Sequence, residues 1–290
     1  MLEIIKAIIY GIVEGITEWL PISSTGHLIL VERLIPFQQT SEGFFDMFDV
    51  VIQLGAILAV VVLFWNKIWP FYLKKNKQPK KGGIVKSAKD PAVGNVALSM
   101  DAFWMWVKIV VACIPAVVYG LLFDDAVGEA FQKEIGSSGV TIQVIVVAVM
   151  LVVVGILFIV IENWNKDRVP TTTKLSQLTY RDALIIGLCQ LVAAALPGTS
   201  RSGATILGAI MIGISRTVAA EFTFFLAILV MFGASLLKLL KFGFAFTGME
   251  LACLLVGTVV SFIVSLFVLR FLMGYIKKHD FKVFGWYRIV

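Results

Sequence analysis

Residues 186 to 206 read Ile-Gly-Leu-Cys-Gln-Leu-Val-Ala-Ala-Ala-Leu-Pro-Gly-Thr-Ser-Arg-Ser-Gly-Ala-Thr-Ile. An apolar helix runs into Pro197-Gly198. A cluster of hydroxyls and one arginine follows (Thr199, Ser200, Arg201, Ser202 and Thr205), and the chain then turns apolar again. Proline and glycine break the first helix, so the next begins with free backbone N–H groups. A helix start that carries arginine and serines suits an anion, most naturally a phosphate. Placing such a group inside apolar sequence is costly, and the cost points to function.

The surrounding chain sets the medium. Of its 290 residues 59% are hydrophobic and only 15% charged, and several apolar runs exceed a membrane thickness, Val140 to Ile161 among them. The fold class expected is all-α: a polytopic membrane protein forming one domain over residues 1–290. The net charge of +6 sits mainly in loops, so it reports topology and argues against a nucleic-acid partner. Cys113, Cys189 and Cys253 stand alone in apolar sequence, without metal-binding or redox spacing. Glu3 and Lys6, with no small-residue cleavage site, give no reason to expect a removable signal peptide.

Residues 3 to 20 read as a helix ended by Pro21, and a second helix starts near Ser23. Its roughly 13 residues at ~1.5 Å each cannot cross ~30 Å of hydrocarbon, so residues 3 to 35 read as a re-entrant hairpin. Full spans are expected at 46–66, 100–123 (with Pro115 a kink), 139–161, 217–241 and 247–274, and a second hairpin at 183–214. Eight lysines between Lys67 and Lys89, with no acid before Asp90, mark the cytoplasmic side. Asp124, Asp125, Glu129 and Glu134 against Lys133 mark the outer side, and Lys277, Lys278, His279 and Lys282 return to the inside. By this parity the first hairpin enters from outside and the second from inside.

An internal repeat supports that count. Leu20-Pro21-Ile22-Ser23-Ser24-Thr25-Gly26 aligns with Leu196-Pro197-Gly198-Thr199-Ser200-Arg201-Ser202, and Gln53-Leu54-Gly55-Ala56-Ile57-Leu58 resembles Phe225-Leu226-Ala227-Ile228-Leu229. The expectation is two inverted-topology repeats, about 1–123 and 181–290, joined by a transmembrane helix at about 139–162. Each repeat has a re-entrant helical hairpin followed by transmembrane helices, and such folds put their site near the bilayer midplane.

A first polar constellation lies in the first hairpin. Glu14 and Glu18 are four apart and share a helix face. Ser23 is placed to cap the next helix, and Ser24 and His27 face one way. Gly11 and Gly15 read as a close helix contact. Two carboxylates facing a phosphate repel it unless a cation lies between, and Mg²⁺ or Ca²⁺ takes carboxylate and phosphate oxygens together. A proton relay of the transporter kind is the other reading of the glutamates. In the second constellation Arg201 can hold phosphate oxygens in a fork while Ser200, Ser202 and Thr205 donate to them. Gln53 and Gln190, polar inside apolar runs, read as structural glue, with support of either site as the other reading, and Arg216 reads as an interfacial anchor.

With these residues in hand, the chain resembles the undecaprenyl-diphosphate phosphatase family, also called bacitracin-resistance proteins. The likeness rests on Glu14-Gly15-Ile16-Thr17-Glu18-Trp19-Leu20-Pro21-Ile22-Ser23-Ser24-Thr25-Gly26-His27 and on Pro197-Gly198-Thr199-Ser200-Arg201-Ser202-Gly203-Ala204-Thr205-Ile206. It implies a multi-pass enzyme of the bacterial inner membrane, with its site open to the outer face. The enzyme would hydrolyse undecaprenyl diphosphate to undecaprenyl phosphate and inorganic phosphate, recycling the lipid carrier for cell-wall synthesis and giving bacitracin resistance. It implies a divalent cation (Mg²⁺ or Ca²⁺) on Glu14 and Glu18. Glu18, Ser24, His27 and Arg201 would be catalytic, with Ser23, Thr25, Ser200, Ser202 and Thr205 binding the polyprenyl diphosphate. A homodimer stays open. The chain departs from the family at Leu229, where a proline is usual. The family also ends with a further membrane helix, of which Phe281 to Val290 is the beginning.

The expected chemistry is attack by Ser24 on the terminal phosphorus with His27 handling the proton; a phosphohistidine at His27 is the alternative. The competing class is a transporter of the lipid, because inverted repeats and midplane carboxylates are what such proteins show. The lipid phosphatases that follow Ser-Arg closely with a histidine are set aside, because neither Ser200-Arg201 nor Ser215-Arg216 has one within ten residues.

Overall fold

The computed structural model describes residues 1–73, 91–93, 96–132 and 141–290. Most of the lysine run after Lys67, together with Lys133 and Glu134, lies outside them, as do the side chains of Asp124, Asp125 and Glu129. The described helices are α1 (Leu2–Thr17), α2 (Ser24–Leu34), α3 (Phe44–Ile68), α4 (Met100–Gln132), α5 (Ile142–Trp164), α6 (Tyr180–Ala195), α7 (Arg201–Met211), α8 (Arg216–Phe242), α9 (Gly248–Tyr275) and α10 (Lys282–Ile289). Three short strands, β1 (Phe71–Leu73), β2 (Ala92–Val93) and β3 (Val96–Leu98), pair antiparallel in the order β1-β3-β2 between α3 and α4. Among the described residues this small sheet and an isolated bridge between Thr172 and Ile214 depart from an all-α chain.

Among the described residues, five helices are long and apolar enough to cross a membrane: α3, α4 over Met100–Phe123, α5, α8 and α9. By contrast α1, α2, α6 and α7 have 16, 11, 16 and 11 residues. At ~1.5 Å per residue none of the four spans ~30 Å of hydrocarbon. The α1–α2 and α6–α7 pairs are therefore re-entrant hairpins, each broken around its proline. Two places interrupt regular helix geometry or bonding. Pro115 lies inside α4, whereas α3 leaves helical geometry at Phe64 (φ −108°, ψ 16°).

Contacts sort the helix ends onto two faces. On one face the loop after α2 is tied down. Lys6 donates to Pro36 O (2.6 Å) and to Glu3 Oε1 (2.9 Å), and Ser41 N donates to Glu250 Oε1 at the start of α9 (2.6 Å). Tyr10, Phe37, Phe44 and Phe48 pack beneath it, and Phe242 at the end of α8 meets Phe44. On the other face Lys67 at the end of α3 pairs with Glu221 at the start of α8 (2.6 Å). Trp106 on α4 donates to Ile68 O (2.7 Å). Glu162, fully buried at the end of α5, accepts from Arg216 Nε (2.9 Å) and Phe281 N (3.0 Å). Arg216, expected as an interfacial anchor, stands partly exposed (36%) at the start of α8 and pairs with the buried Glu162: a carboxylate so deep needs a partner.

Gly11 and Gly15 pack α1 onto α9. A Cβ at Gly11 would lie 2.6 Å from Gly257 O, and one at Gly15 would lie 2.8 Å from Val264 Cβ. Without a strong hydrophobic drive between helices in lipid, such close contact is what holds them together. Gly11→Ala should therefore cost about 1–3 kcal/mol through overpacking. Gly233→Ala, where nothing lies within 4 Å, should cost nothing. Thermal unfolding in detergent measures both, and equal midpoints would contradict the packing.

Candidate functional site

The two hairpin tips are built alike from local rules. In the first, α1 stops at Thr17 and Glu18 closes it with helical geometry. Pro21 follows, and Ser23 (φ 75°, ψ 98°) caps α2 by accepting from Gly26 N at 3.4 Å. In the second, α6 stops at Ala195, Pro197 and Gly198 (φ 87°) turn the chain, and Ser200 (φ 70°, ψ 117°) caps α7 by accepting from Gly203 N at 3.2 Å. Ser23 and Ser200 are the only non-glycine residues with positive φ among the described ones. Left-handed backbone at a serine costs of order 1 kcal/mol and persists where the surroundings enforce it. The caps pair Ser23 with Ser200, so the second tip is one residue longer than the repeat alignment implied. Ser24 and Arg201 are the equivalent first residues of their helices.

The tips meet. Arg201 Nη2 donates to Glu18 Oε1 (2.6 Å), and Ser24 Oγ donates to Glu18 Oε2 (2.8 Å). Ser202 Oγ donates to Glu18 O (3.2 Å) and shares a hydrogen bond with Ser200 Oγ (3.2 Å). Glu18 is 8% exposed, so both its oxygens are used in a place with little water to replace those bonds. Arg201 keeps Nη1 buried and without a partner. Around this contact lies a cavity of about 190 Å³ lined by Glu18, Ser23, Ser24, Thr25, Ser200, Arg201 and Ser202. Gln53 and the apolar Ala193, Pro197, Gly198, Val230, Met231 and Ala234 complete the wall. Small-molecule sites usually run to ~300–1,000 Å³, so this volume suits a headgroup and leaves an attached chain outside.

Three expected site residues lie elsewhere. Thr205 is fully buried and turned to α8: its hydroxyl donates to Arg201 O (2.9 Å) and accepts from Thr223 Oγ1 (2.9 Å). His27 does not line the cavity. Its Nδ1 bonds Ser23 O at 2.7 Å and its Nε2 bonds Tyr287 Oη at 2.8 Å. A carbonyl only accepts, so Nδ1 carries the proton and Nε2 receives the Tyr287 hydroxyl. Both ring nitrogens are spent, and neither faces Ser24. Glu14 is fully buried with both carboxylate oxygens unpartnered, and it is absent from the cavity wall. Among the described residues no group of three or more His, Cys, Asp or Glu is placed to hold a metal ion.

Gln53 lines the cavity, as one of its two readings had it, and sequence reading missed the α8 wall at Val230, Met231 and Ala234. It also missed Tyr287 and Arg288 on α10. A lone arginine in an apolar terminal run was the available signal for the last of these.

Comparison with known proteins places the chain as follows. The family model described as Bacitracin resistance protein BacA matches residues 7–290. A protein of Desulfitobacterium hafniense named undecaprenyl-diphosphatase is 57% identical over 290 residues, covering 100% of this chain and 94% of its own. Proteins of the same name from Enterococcus faecalis and Acetivibrio thermocellus are each 54% identical, again across 100% of this chain and 94% and 95% of theirs.

The shared carboxylate makes Glu18 and Arg201 energetically dependent. Arg201→Met should destabilise the protein less in a Glu18→Gln background than alone, with a coupling of about 1–3 kcal/mol. Denaturation of the two single variants and the double variant tests this; strictly additive losses would mean the tips do not hold each other.

Proposed function

The chain belongs to the Bacitracin resistance protein BacA family, and from that premise we propose how its site works. The protein is a membrane phosphatase that hydrolyses undecaprenyl diphosphate to undecaprenyl phosphate and inorganic phosphate, as the names of its relatives indicate. This activity recycles the carrier lipid for cell-wall synthesis and confers resistance to bacitracin. The observation that carries the reading is the cavity at the tips, where Ser24 already donates to Glu18 and Arg201 holds a spare buried N–H.

In this reading the terminal phosphate seats against Arg201 Nη1 and the hydroxyls of Ser23, Thr25, Ser200 and Ser202. Guanidinium and hydroxyl donors aimed at the transferring group stabilise the charge that develops on its oxygens. Ser24 Oγ attacks the terminal phosphorus, and the bond from that phosphorus to the bridging oxygen breaks. Undecaprenyl phosphate leaves with the bridging oxygen. Glu18 Oε2, 2.8 Å from Ser24 Oγ, takes the serine proton. Water then releases phosphate from Ser24. The proton acceptor is therefore Glu18 instead of His27, whose nitrogens are engaged elsewhere.

The donor set suits a hard divalent cation shared with substrate. Two carboxylates, with substrate phosphate and water completing the shell, are what Mg²⁺ commonly takes. Glu14 offers two orphan oxygens and stands one helical turn before Glu18; it lies off the cavity wall, so Glu18 is the carboxylate of the pair that ion and substrate would share. When bound there, the ion would neutralise phosphate charge and polarise the phosphoryl group.

The site faces the outer side in this reading. The lysine-rich segment follows the far end of α3, so the face where the first hairpin opens is the outer one. The α8 wall at Val230 to Ala234 lies about the middle of that helix, whose end reaches the same face at Phe242. The two halves read as inverted repeats. In support, α1 packs on α9 as α6 packs on α4, and α3 and α8 pack on each other.

Purified protein in detergent, with no gradient, should release phosphate from a long-chain prenyl diphosphate and lose that activity with a chelator. Ser24→Ala and Arg201→Ala should each cost at least ~10³-fold in kcat/KM with folding intact. No release by the wild-type protein, as a pure transporter would give, overturns the reading.

A further inference from the structure

The terminal helix α10 has no part in the chemistry above, yet two adjacent residues on it reach both tips. Arg288 is 4% exposed. Its Nη1 donates to Pro21 O (3.1 Å) in the first tip. Its Nη2 donates to Gly198 O (2.8 Å) and Thr199 O (3.1 Å) in the second, and to Met150 O on α5 (3.3 Å). Its Nε donates to Leu151 O (3.3 Å). The tip carbonyls it holds, freed where helices are broken by proline and glycine, have no water to turn to at this depth. A planar guanidinium with five fixed N–H groups can bridge several of them at once; an ammonium on a flexible stem cannot.

Tyr287 acts on the other side of the same helix. Its ring stacks on the imidazole of His27 (centroids 5.8 Å apart, planes 8° off parallel), and its hydroxyl donates to Nε2. His27 passes the constraint on through Nδ1 to the carbonyl of Ser23. Ser23 is the strained left-handed cap that aims the next residue, Ser24, at Glu18. The height of α10 is itself fixed, because Gly155 and Gly285 let the backbones of α5 and α10 touch. A Cβ on Gly155 would lie 2.8 Å from Gly285 O.

We propose that Tyr287 and Arg288 are positioning residues: α10 is a strut that sets the distance between the tips through Arg288 and the aim of Ser24 through Tyr287, His27 and Ser23. The proposal rests on the phosphatase reading and assigns His27 a part in it. The histidine holds the serine turn in place and does not itself exchange a proton with substrate.

The two residues should fail differently. Tyr287→Phe keeps the stacked ring and loses only the hydroxyl. It should lower kcat about tenfold while KM and the unfolding midpoint stay at wild-type values, because the Arg201 phosphate contact is untouched. Arg288→Lys loosens the second tip beside Ser200 and Arg201 as well, so it should lower kcat and raise KM together. A strut that merely stabilises the fold predicts otherwise: less folded protein, a lower midpoint, and residual enzyme with wild-type KM in both variants. Wild-type turnover in the same assay checks the phosphatase reading separately. Where Arg288→Lys does not fold, Tyr287→Phe decides alone. Full kcat in that variant, or a loss matched by loss of folded protein, overturns the proposal.

Discussion

The structure depends on one problem: two helices stop halfway across a medium that cannot hydrogen-bond their open ends. Each tip leaves carbonyls, N–H groups and charged side chains at a depth where water cannot satisfy them. The solution is mutual. Glu18 from one tip takes Arg201 from the other, Ser202 reaches back to the carbonyl of Glu18, and Arg288 closes the remaining carbonyls of both. Breaking such a buried pair by removing one partner typically costs ~3–5 kcal/mol. The contact that holds the hairpins together is thus also the one that arranges the catalytic groups.

That coupling explains why a site made of charges can sit so deep. An isolated arginine or glutamate near a membrane midplane is expensive. Here Glu18 and Arg201 are bonded to each other, and Arg201 Nη1 is left without a partner beside a 190 Å³ cavity. An anionic phosphate entering that space meets donors already in place, so little reorganisation remains to be done during reaction.

Much of this was legible in the sequence, because membranes restrict what a chain can do. Pro21 and Pro197 with short flanking runs gave the hairpins, and the expected spans fall within a few residues of α3, α5, α8 and α9. The span expected at 100–123 is likewise found at Met100–Phe123, and helix α4 itself runs on to Gln132, because hydropathy marks where apolar sequence stops and not where a helix stops. Of the expected site residues, Glu18, Ser23, Ser24, Thr25, Ser200, Arg201 and Ser202 line the cavity. His27 is placed off it: its spacing from Ser24 says they share a helix side, whereas a histidine in the first turn can instead turn back onto the carbonyl four residues earlier. Thr205 was lost to its own helix and to Thr223 in the same way. Glu14 and Glu18 share spacing too, but helix α1 ends between them, and only Glu18 reaches the cavity. Arg288 was out of reach for another reason: its partners lie 89 to 267 residues away along the chain, and no local pattern records that.

The central claim is that tips from opposite faces jointly hold the terminal phosphate. A structure with a methylene-bridged prenyl diphosphate, which cannot be cleaved, tests it most directly. The account predicts the terminal phosphate within hydrogen-bond distance of Arg201 Nη1, with Ser24 Oγ in line with the bridging carbon. A headgroup held by one hairpin alone, or bound away from Ser24, would contradict it.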